Sequence, residues 1–553
     1  VEIRDAEIPL SLADNLTGST PTVLTLRQVV DAIERATWDE RIVGLLIDGS
    51  QGGGLAGYAS LAEVRAALEQ FREAGKQILA YDVDLTQREY YLASVAERIL
   101  LNPIGAVEFN GFSAEQLFLA GALEKFGIGV QVVRVGNYKS AVEPFVRQDL
   151  SPENRQQLTD LLEALWQEFL ATVSSQRDLT SADLQAIADT QGLLLPSDAT
   201  AAKLVDDLAH FDEVAAELRQ LTQEDENSDD GSRFRRIDLA TYSQGPADSA
   251  NLRTSRNKIA VLYAEGAIVS GDGGPEEVGS DRFSRQIRRL REDEAVKAIV
   301  LRINSPGGSA TASDVILREL KLASEEKPLI VSMGDVAASG GYWLATGASY
   351  IFAEASTITG SIGVFGLLFN VEDLAQDNGV TWDAVKTAAL ADLYTASRPQ
   401  TPAELAVLQR VVNRIYELFI STVAEARSLS RSEVVAIAQG RVWVGQEAER
   451  VGLVDEIGGL GAAIAHAAEA ADLGDDWEVQ DDREPPTLEE RLLRSLPLVV
   501  RSSLQEAMPR SRWQAPEPLQ QQAETLRQDL EGLGPLRDPR GIYMYWPFSL
   551  HPR

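Results

Sequence analysis

Ser339 and Lys139 are the two residues of this chain whose types and surroundings fit nucleophilic catalysis. Ser339 stands among small residues, after an apolar strand pattern and before a helical pattern, so it is predicted at a strand-to-helix turn. The free N–H groups at such a helix start would lie beside its hydroxyl. A helix cap without a catalytic role is the simpler interpretation of this Ser-Gly-Gly segment taken alone.

A serine nucleophile needs a base, and Lys139 is the candidate. It lies in the segment 135–144, which comes after the apolar run 130–133, so we expect it at the end of a buried strand. A lysine can act as a base only if burial lowers its pKa from about 10.4, whereas arginine does not deprotonate. An ordinary solvated lysine is the alternative. The three histidines, His210, His466 and His551, lie in no turn of catalytic type, which disfavours a Ser-His-Asp triad.

Two further turns carry groups that suit the same chemistry. The segment 305–309 follows an apolar run, and glycines there allow main-chain N–H groups of Gly307 and Gly308 to face a substrate carbonyl. The N–H of Gly340 would complete such an oxyanion hole. The hydroxyl-rich segment 356–363 is predicted to hydrogen-bond a neutral lysine amine.

An internal repeat separates the two candidate residues. When the sequence is shifted by 252 positions, the segment 90–94 aligns with 342–346. In that register Gln87 lies opposite Ser339, and Ala391 lies opposite Lys139. Each half therefore keeps one member of the pair. We expect Ser339 and Lys139 to lie within hydrogen-bond reach across the two halves, with Gln87 far from Lys139. A single-copy ancestor that formed a ring would explain this division.

The repeated pattern predicts an α/β fold with two tandem domains. In each copy an apolar run (residues 42–48 and 298–303) leads into a glycine-rich turn and then a helical pattern, which is typical of buried parallel strands in a βα arrangement. We assign residues 1–223 to the first repeat, 224–255 to a polar linker and 256–480 to the second repeat. Residues 481–553 are predicted to be a helical and aromatic tail, with helices near 488–504 and 519–533.

Composition excludes several function classes. The chain has 51 basic and 84 acidic residues, and 51 − 84 = −33 argues against nucleic acid and anionic lipid as partners. The absence of cysteine excludes disulfides and thiol chemistry. No apolar run approaches the length of about 18 residues that a membrane-spanning helix needs, so no span is expected. The sequence begins at Val1 rather than Met, which leaves room for an N-terminal signal or anchor outside it.

The chain closely resembles the long form of the bacterial signal peptide peptidase A (protease IV) family from about residue 26 to about residue 471. The resemblance rests on four segments in order, RVGNYKSAVEPF at 134–145, NSPGGS at 304–309, AASGGYW at 337–343 and TGSIG at 359–363. It implies tandem ClpP/crotonase-like ββα-superhelix domains and a serine endopeptidase with a Ser/Lys dyad. Ser339 would be the nucleophile and Lys139 the base, Ser361 would orient the lysine, and Gly340, Gly307 and Gly308 would supply oxyanion donors.

The same resemblance implies a membrane-associated homo-tetramer that degrades cleaved signal peptides and other peptides, with no metal or other cofactor. The expected location is the extracytoplasmic face of the plasma membrane, or a photosynthetic membrane, with attachment through an N-terminal segment absent from this sequence.

Two other functions fit parts of the pattern. A crotonase-like acyl-CoA enzyme would use the main-chain oxyanion hole without a Ser/Lys pair. A pseudo-peptidase scaffold fits the first repeat, where Gln87 stands at the nucleophile position. The aromatic segment 542–548 is interpreted as a strand or arm that docks on the protein itself, with a membrane-interface or partner contact as the alternative.

Overall fold

The computed structural model describes residues 2–4, 23–51, 56–222, 234–245, 255–482, 538 and 540–546. Its strands form three large sheets and one short parallel pair. One large sheet belongs to the first repeat, one to the second, and the third takes strands from both repeats and from the C-terminal tail. Among the described helices, none has the length and apolar character needed to cross a membrane.

The strands that precede the linker are β1 (Glu2–Arg4), β2 (Val23–Thr25), β3 (Gly44–Asp48), β4 (Gln77–Leu85), β5 (Arg98–Phe109), β6 (Gly129–Val135), β7 (Gly192–Leu194) and β8 (Asp207–Leu208). Those that follow it are β9 (Lys258–Glu265), β10 (Ala267–Val269), β11 (Glu277–Gly279), β12 (Val296–Ser305), β13 (Gly307–Ser309), β14 (Leu329–Ala338), β15 (Tyr350–Ala353), β16 (Ile358–Gly360), β17 (Val364–Asn370), β18 (Val442–Val444), β19 (Glu456–Ile457), β20 (Glu478–Asp481) and β21 (Ile542–Tyr545).

The α-helices up to residue 245 are Leu26–Trp38, Tyr58–Glu73, Gln87–Ala93, Ala120–Lys125, Glu143–Val146, Pro152–Ser174, Ser181–Thr190, Pro196–Ala201, Phe211–Leu221 and Leu239–Gln244. The later ones are Ser280–Glu292, Ala310–Glu326, Gly340–Ala345, Glu372–Asp377, Pro402–Ala426, Arg431–Ile437, Gly445–Arg450 and Leu460–Ala470.

The first repeat is built on parallel pairing of β3, β4 and β5, to which β8 adds in parallel and β7 antiparallel. Its first helix begins with a capping box, in which Thr25 accepts from the Gln28 N–H and the Gln28 side chain accepts from the Thr25 N–H. The buried faces of this helix and of Tyr58–Glu73 share one apolar core with β4 and β5.

The second repeat follows the same order, with β12, β14, β15, β16, β18 and β19 in the places of the first-repeat strands. The likeness extends to single hydrogen bonds. The buried Tyr90 hydroxyl donates to the Leu204 carbonyl at 2.9 Å, and Tyr342 donates to Leu453 at 2.8 Å. The predicted α/β fold with tandem related domains is therefore confirmed.

The third sheet is where the repeats meet. Its order is β11-β10-β13-β21-β17-β6, so a first-repeat strand and a tail strand complete a sheet that the second repeat begins. β6 pairs antiparallel with the whole of β17, from Val135 opposite Val364 to Gly129 opposite Asn370. This pairing carries the chain that follows β6 directly to the edge of the second repeat.

The structure describes part of the predicted linker but not the predicted helices of the tail. The predicted linker contains the helix Leu239–Gln244, whose Tyr242 packs under the Arg35 guanidinium and donates to Asp39 at 2.9 Å. So short a helix leaves little periodic signal in the sequence. The predicted tail helices near 488–504 and 519–533 fall outside the described residues.

Candidate active site

Ser339 joins β14 to the helix Gly340–Ala345 in a conformation that non-glycine residues rarely adopt, with φ 57° and ψ −111°. Its N–H donates to the Gly360 carbonyl at 2.8 Å, and its carbonyl accepts from Trp343 at 2.9 Å. The side chain makes no capping hydrogen bond, which argues against the simpler interpretation of this serine. The strained backbone instead directs the buried hydroxyl away from the helix.

Lys139 supplies the amine that meets this hydroxyl. Its Nζ lies 2.7 Å from Ser339 Oγ, 3.0 Å from Ser361 Oγ and 3.2 Å from the Ser361 carbonyl. Lys139 is 1% exposed, so the solvated-lysine alternative does not hold. Burial lowers the pKa of this amine well below its usual 10.5, which favours the neutral form that can accept a proton.

The position of Lys139 depends on close backbone contacts between the repeats. After β6, the Tyr138 N–H donates to the Gln439 carbonyl at 2.9 Å. A methyl group built on Gly440 would lie 2.6 Å from the Lys139 nitrogen, and Gly440 has φ +80°, so only glycine fits there. The pair Gln439-Gly440 has a counterpart in the first repeat, Gln191-Gly192. A glycine that recurs in both copies was the signal that could have identified this close approach.

The glycine turn before the helix Ala310–Glu326 offers one main-chain donor rather than two. The Gly307 N–H donates to Ser305 Oγ at 3.2 Å and is already used. Gly307 has φ +94°, and a methyl group on it would lie 2.6 Å from the Gly340 nitrogen. A side chain at position 307 would therefore crowd the Gly340 N–H. Gly340 begins its helix, so its N–H has no intrahelical acceptor and could donate to an oxyanion; the same role for the Gly308 N–H stays a prediction.

The hydroxyl-rich turn places one hydroxyl on the lysine. Thr357 donates to the Gly334 carbonyl and Thr359 to the Ala337 carbonyl, which ties this turn to β14. Ser361 follows with φ 52° and points its Oγ at Lys139. It is therefore the member of the turn positioned to orient the amine.

The matching place in the first repeat holds no such chemistry. Gln87 is buried there, and its Oε1 accepts from the Asn110 and Gly111 N–H groups at 3.1 and 3.0 Å. At the offset of 252, the buried Phe109 stands where the second repeat has Ser361. The first repeat thus lacks both hydroxyls, which the amide and the ring replace with structural contacts.

The two histidines that the structure describes lie in structural positions. His210 is the cap residue of the helix Phe211–Leu221, and His466 stacks on Tyr350 at 4.1 Å between ring centroids. His551 lies outside the described residues.

A buried ion pair joins the two repeats. Arg302 on β12 pairs with Glu63 of the first repeat at 2.6 Å, and its side chain is 0% exposed. Arg302 also donates to Ser332 Oγ, while Glu63 accepts from the Leu460 N–H at 2.6 Å. Asp335 on β14 accepts from the N–H groups at the start of the helix that carries Glu63. The strand that leads to Ser339 is therefore anchored by the other repeat.

Two protein-family models match this chain. The model of peptidase family S49 matches residues 70–225 and 321–474, one match in each repeat. The Clp protease model matches residues 252–360, the part that holds β12, β14 and Ser339.

Several curated proteins are similar over most of their length. Protease 4 of Salmonella typhi is 39% identical over 532 residues, which covers 94% of this chain and 83% of that protein. Protease 4 of Haemophilus influenzae is 35% identical, covering 95% and 85%. The chloroplastic serine protease SPPA of Arabidopsis thaliana is 33% identical, covering 84% and 68%.

Proposed function

We propose, from the premise that this chain belongs to peptidase family S49 and is a serine peptidase, that Ser339 and Lys139 form its catalytic dyad. One observation carries the proposal: the amine of Lys139, which burial favours in its neutral form, lies 2.7 Å from the strained Ser339 hydroxyl. A crotonase-like acyl-CoA reaction would need the oxyanion donors, but it would not use Lys139 as a base.

In the proposed reaction, Lys139 Nζ takes the Ser339 proton while Oγ attacks the substrate carbonyl carbon. The N–H groups of Gly308 and Gly340 stabilise the oxyanion that forms. The carbon–nitrogen bond then breaks, and the lysine returns the proton to the leaving amine. Water, deprotonated by the same amine, hydrolyses the ester and frees Ser339. Ser361 keeps the amine oriented through both steps.

The experiment pairs Ser339→Ala and Lys139→Ala with Lys297→Ala, an exposed lysine on β12 as a matched control. We expect each dyad variant to lose on the order of 10⁴-fold or more in kcat/KM with an unchanged fold. The control should keep wild-type activity. Mass spectrometry after reaction with a peptide phosphonate should locate the adduct on Ser339. Wild-type hydrolysis by either dyad variant, or an adduct elsewhere, would contradict the dyad.

We propose peptides as the substrates, with cleaved signal peptides as the physiological class. The sequence resemblance supports this, as does the buried site, which admits an extended chain more readily than a folded domain. A synthetic signal peptide should be cleaved, whereas the same sequence locked inside a folded domain should resist. Equal cleavage of both would contradict the substrate class. Membrane association, at an extracytoplasmic or photosynthetic face, is proposed on the resemblance alone, and fractionation of cells that make the native protein tests it.

We also propose a homo-tetramer, and the repeat geometry supports assembly between copies. At the offset of 252, residues 381–387 match β6, yet they form no strand. Val385 is 100% exposed, whereas its counterpart Val133 in β6 is 5% exposed. Trp382 in the same segment is also exposed. This segment would pair with residues 112–118 of the next copy, the counterpart of β17. Light scattering should give a mass of four chains, and Trp382→Asp should reduce it. A monomeric wild type would contradict assembly.

A further inference from the structure

Glu143 is a buried glutamate that follows Lys139 by four positions, and it is 1% exposed. Its carboxylate oxygens accept hydrogen bonds from the start of the helix Pro152–Ser174. The Ser151 N–H donates at 3.2 Å, the Ser151 hydroxyl also donates, and the Asn154 amide donates at 3.1 Å. A carboxylate taken out of water needs such donors, so these bonds hold Glu143 in one place.

The second repeat caps the corresponding helix in a different way. The helix Pro402–Ala426 begins with a capping box, in which Thr401 accepts from the Glu404 N–H and Glu404 accepts from the Thr401 N–H at 2.7 Å. Both residues of this cap lie within one turn of the chain. The cap is therefore local and depends on no other segment.

The first repeat builds its cap with a residue from outside the helix. Its segment Ser-Pro-Glu-Asn at 151–154 aligns with Thr-Pro-Ala-Glu at 401–404, so Asn154 stands where the capping box has its glutamate. The Asn154 amide donates to Glu143, which accepts from the Ser151 N–H in its place. The start of this helix is therefore bound to the segment that carries Lys139.

The segment between Lys139 and Glu143 is short and regular. Residues 140–142 form a 3₁₀-helix, and the Glu143 N–H donates to the Ser140 carbonyl. Arg134 in β6 also donates to the Lys139 carbonyl at 3.2 Å. Because these bonds leave the segment little freedom, a displacement of Glu143 would also displace Lys139.

The same helix contacts the other side of the site. Its Gln157, which is 2% exposed, accepts from the Val442 N–H at 3.0 Å. The preceding residue, Arg441, accepts at its carbonyl from the Ser361 N–H at 2.7 Å. The helix therefore binds both the segment that carries Lys139 and the segment that holds Ser361.

We infer that Glu143 is a positioning residue of this peptidase, because its carboxylate fastens the segment of Lys139 to the helix that also holds the Ser361 side of the site. The inference rests on the proposed function, since it takes Lys139 as the base. Glu143 acts through the position of the lysine amine and takes part in no step of the reaction. A misplacement of about 1 Å in such a group costs about 10²-fold in rate.

The test compares the wild type with Glu143→Gln and with Glu404→Gln, the matched control. Both glutamates are 1% exposed and accept at the start of equivalent helices, but Glu404 also accepts from Arg398 and is remote in sequence from the lysine segment. Glutamine keeps the shape of the side chain while it turns one acceptor into a donor that faces other donors. The readout is the second-order rate at which a peptide phosphonate labels Ser339 across pH, and thermal melting checks the fold.

We expect Glu143→Gln to label Ser339 about 10- to 100-fold more slowly than the wild type, and Glu404→Gln to match the wild type. The rising limb of the rate should move to higher pH in Glu143→Gln, because burial lowers the pKa of Lys139 and a loosened segment admits water. A limb that moves to lower pH would indicate the loss of a nearby negative charge and would contradict a positioning role. Wild-type rate and pH dependence in Glu143→Gln would overturn the inference.

A double variant separates capping from positioning. Glu143→Ala combined with Asn154→Glu rebuilds a local capping box like that of the second repeat. Its melting temperature should exceed that of Glu143→Ala alone, while its labelling of Ser339 stays slow. Recovery of the wild-type labelling rate would show that Glu143 serves only as a cap and would also overturn the inference. Wild-type labelling by Lys139→Ala would instead overturn the proposed dyad.

Discussion

The amine of Lys139 lies 2.7 Å from the hydroxyl of Ser339, although 200 positions separate the two residues in the chain. Each reaches the other from a different repeat, one after β6 and one after β14. The contact joins a strained backbone, which hydrogen bonds within the second repeat hold, to an amine that is buried where the two repeats meet.

Two replacements of Lys139 should show that activity needs an amine that can lose its proton, and not only a side chain of similar size or charge. Lys139→Met keeps the volume and Lys139→Arg keeps a charge that never titrates, so both should be inactive. In the wild type, kcat/KM should rise with pH along a limb that lies well below 10.5, as the amine loses its proton. A limb at the ordinary lysine pKa would contradict a buried base.

The same group should make stability depend on pH. The folded pKa of Lys139 lies below its unfolded pKa, so the unfolded chain binds more protons between the two values. Stability of the wild type should therefore rise with pH through that window relative to Lys139→Met. Urea denaturation of both proteins at several pH values measures the difference. Parallel curves at all pH values would show that Lys139 does not titrate differently on folding.

Ser361 should act through the lysine. Ser361→Ala removes the 3.0 Å contact to Lys139 Nζ, and a misplaced base costs about 10²-fold in kcat. Since φ is 52°, Ser361→Gly relieves strain while also removing the hydroxyl, which makes it the matched control for backbone effects. Both variants should lose kcat with little change in KM, and their rising pH limb should move. Full activity in the glycine variant would show that the hydroxyl has no role.

Gly307 should be intolerant of alanine for reasons of space. A methyl group there would lie 2.6 Å from the Gly340 nitrogen, so Gly307→Ala should disturb the oxyanion hole and cost about 10²–10³-fold in kcat. Gly75 has a similar φ of +86° but open space around it, so Gly75→Ala carries the same backbone strain without the clash. The Gly75 variant should lose only stability, by about 1 kcal/mol. Equal activity of the two variants would contradict the steric argument.

The buried ion pair between the repeats should be costly to break. Arg302→Met leaves the Glu63 carboxylate without its cation in a closed site, which we expect to cost about 3–5 kcal/mol of unfolding free energy. Burial already raises the pKa of the nearby Glu354 to about 8, with Glu63 adding to the shift. Arg285→Met removes an exposed pair with Asp272 and should cost at most about 1 kcal/mol. Similar losses from the two variants would contradict the distinction.

The sequence predicted the repeat, its parallel strands and the two side chains of the proposed dyad. The helix Leu26–Trp38 depends on its amphipathic periodicity and its Thr25 cap, and both are local signals in the sequence. Lys139 could be identified because the two copies of the repeat can be aligned with each other, and Ala391 stands at its position in the second copy.

The sequence did not show which strand would pair with the edge of each sheet. The pattern of β6 shows which faces are apolar but not that its neighbour would be β17 of the other repeat. The sequence likewise predicted that the N–H groups of both Gly307 and Gly308 would bind an oxyanion. In the structure, the Gly307 N–H instead donates to Ser305 Oγ. The segment 542–548 was interpreted as a docking strand, and residues 542–545 do form one. Its place beside Gly308 depends on contacts between segments that lie far apart in the chain.

The pairing of β6 with β17 also has a consequence for the order of folding. Val135 and Val364 are partners although they belong to different repeats, so closing this contact carries a large loop-entropy cost and comes late. During synthesis the first repeat emerges and folds before the second exists. A nascent chain therefore contains the lysine of the proposed dyad before its serine has been synthesised. On the proposed mechanism, the chain can cleave peptides only after Ser339 has been made and β6 has paired with β17.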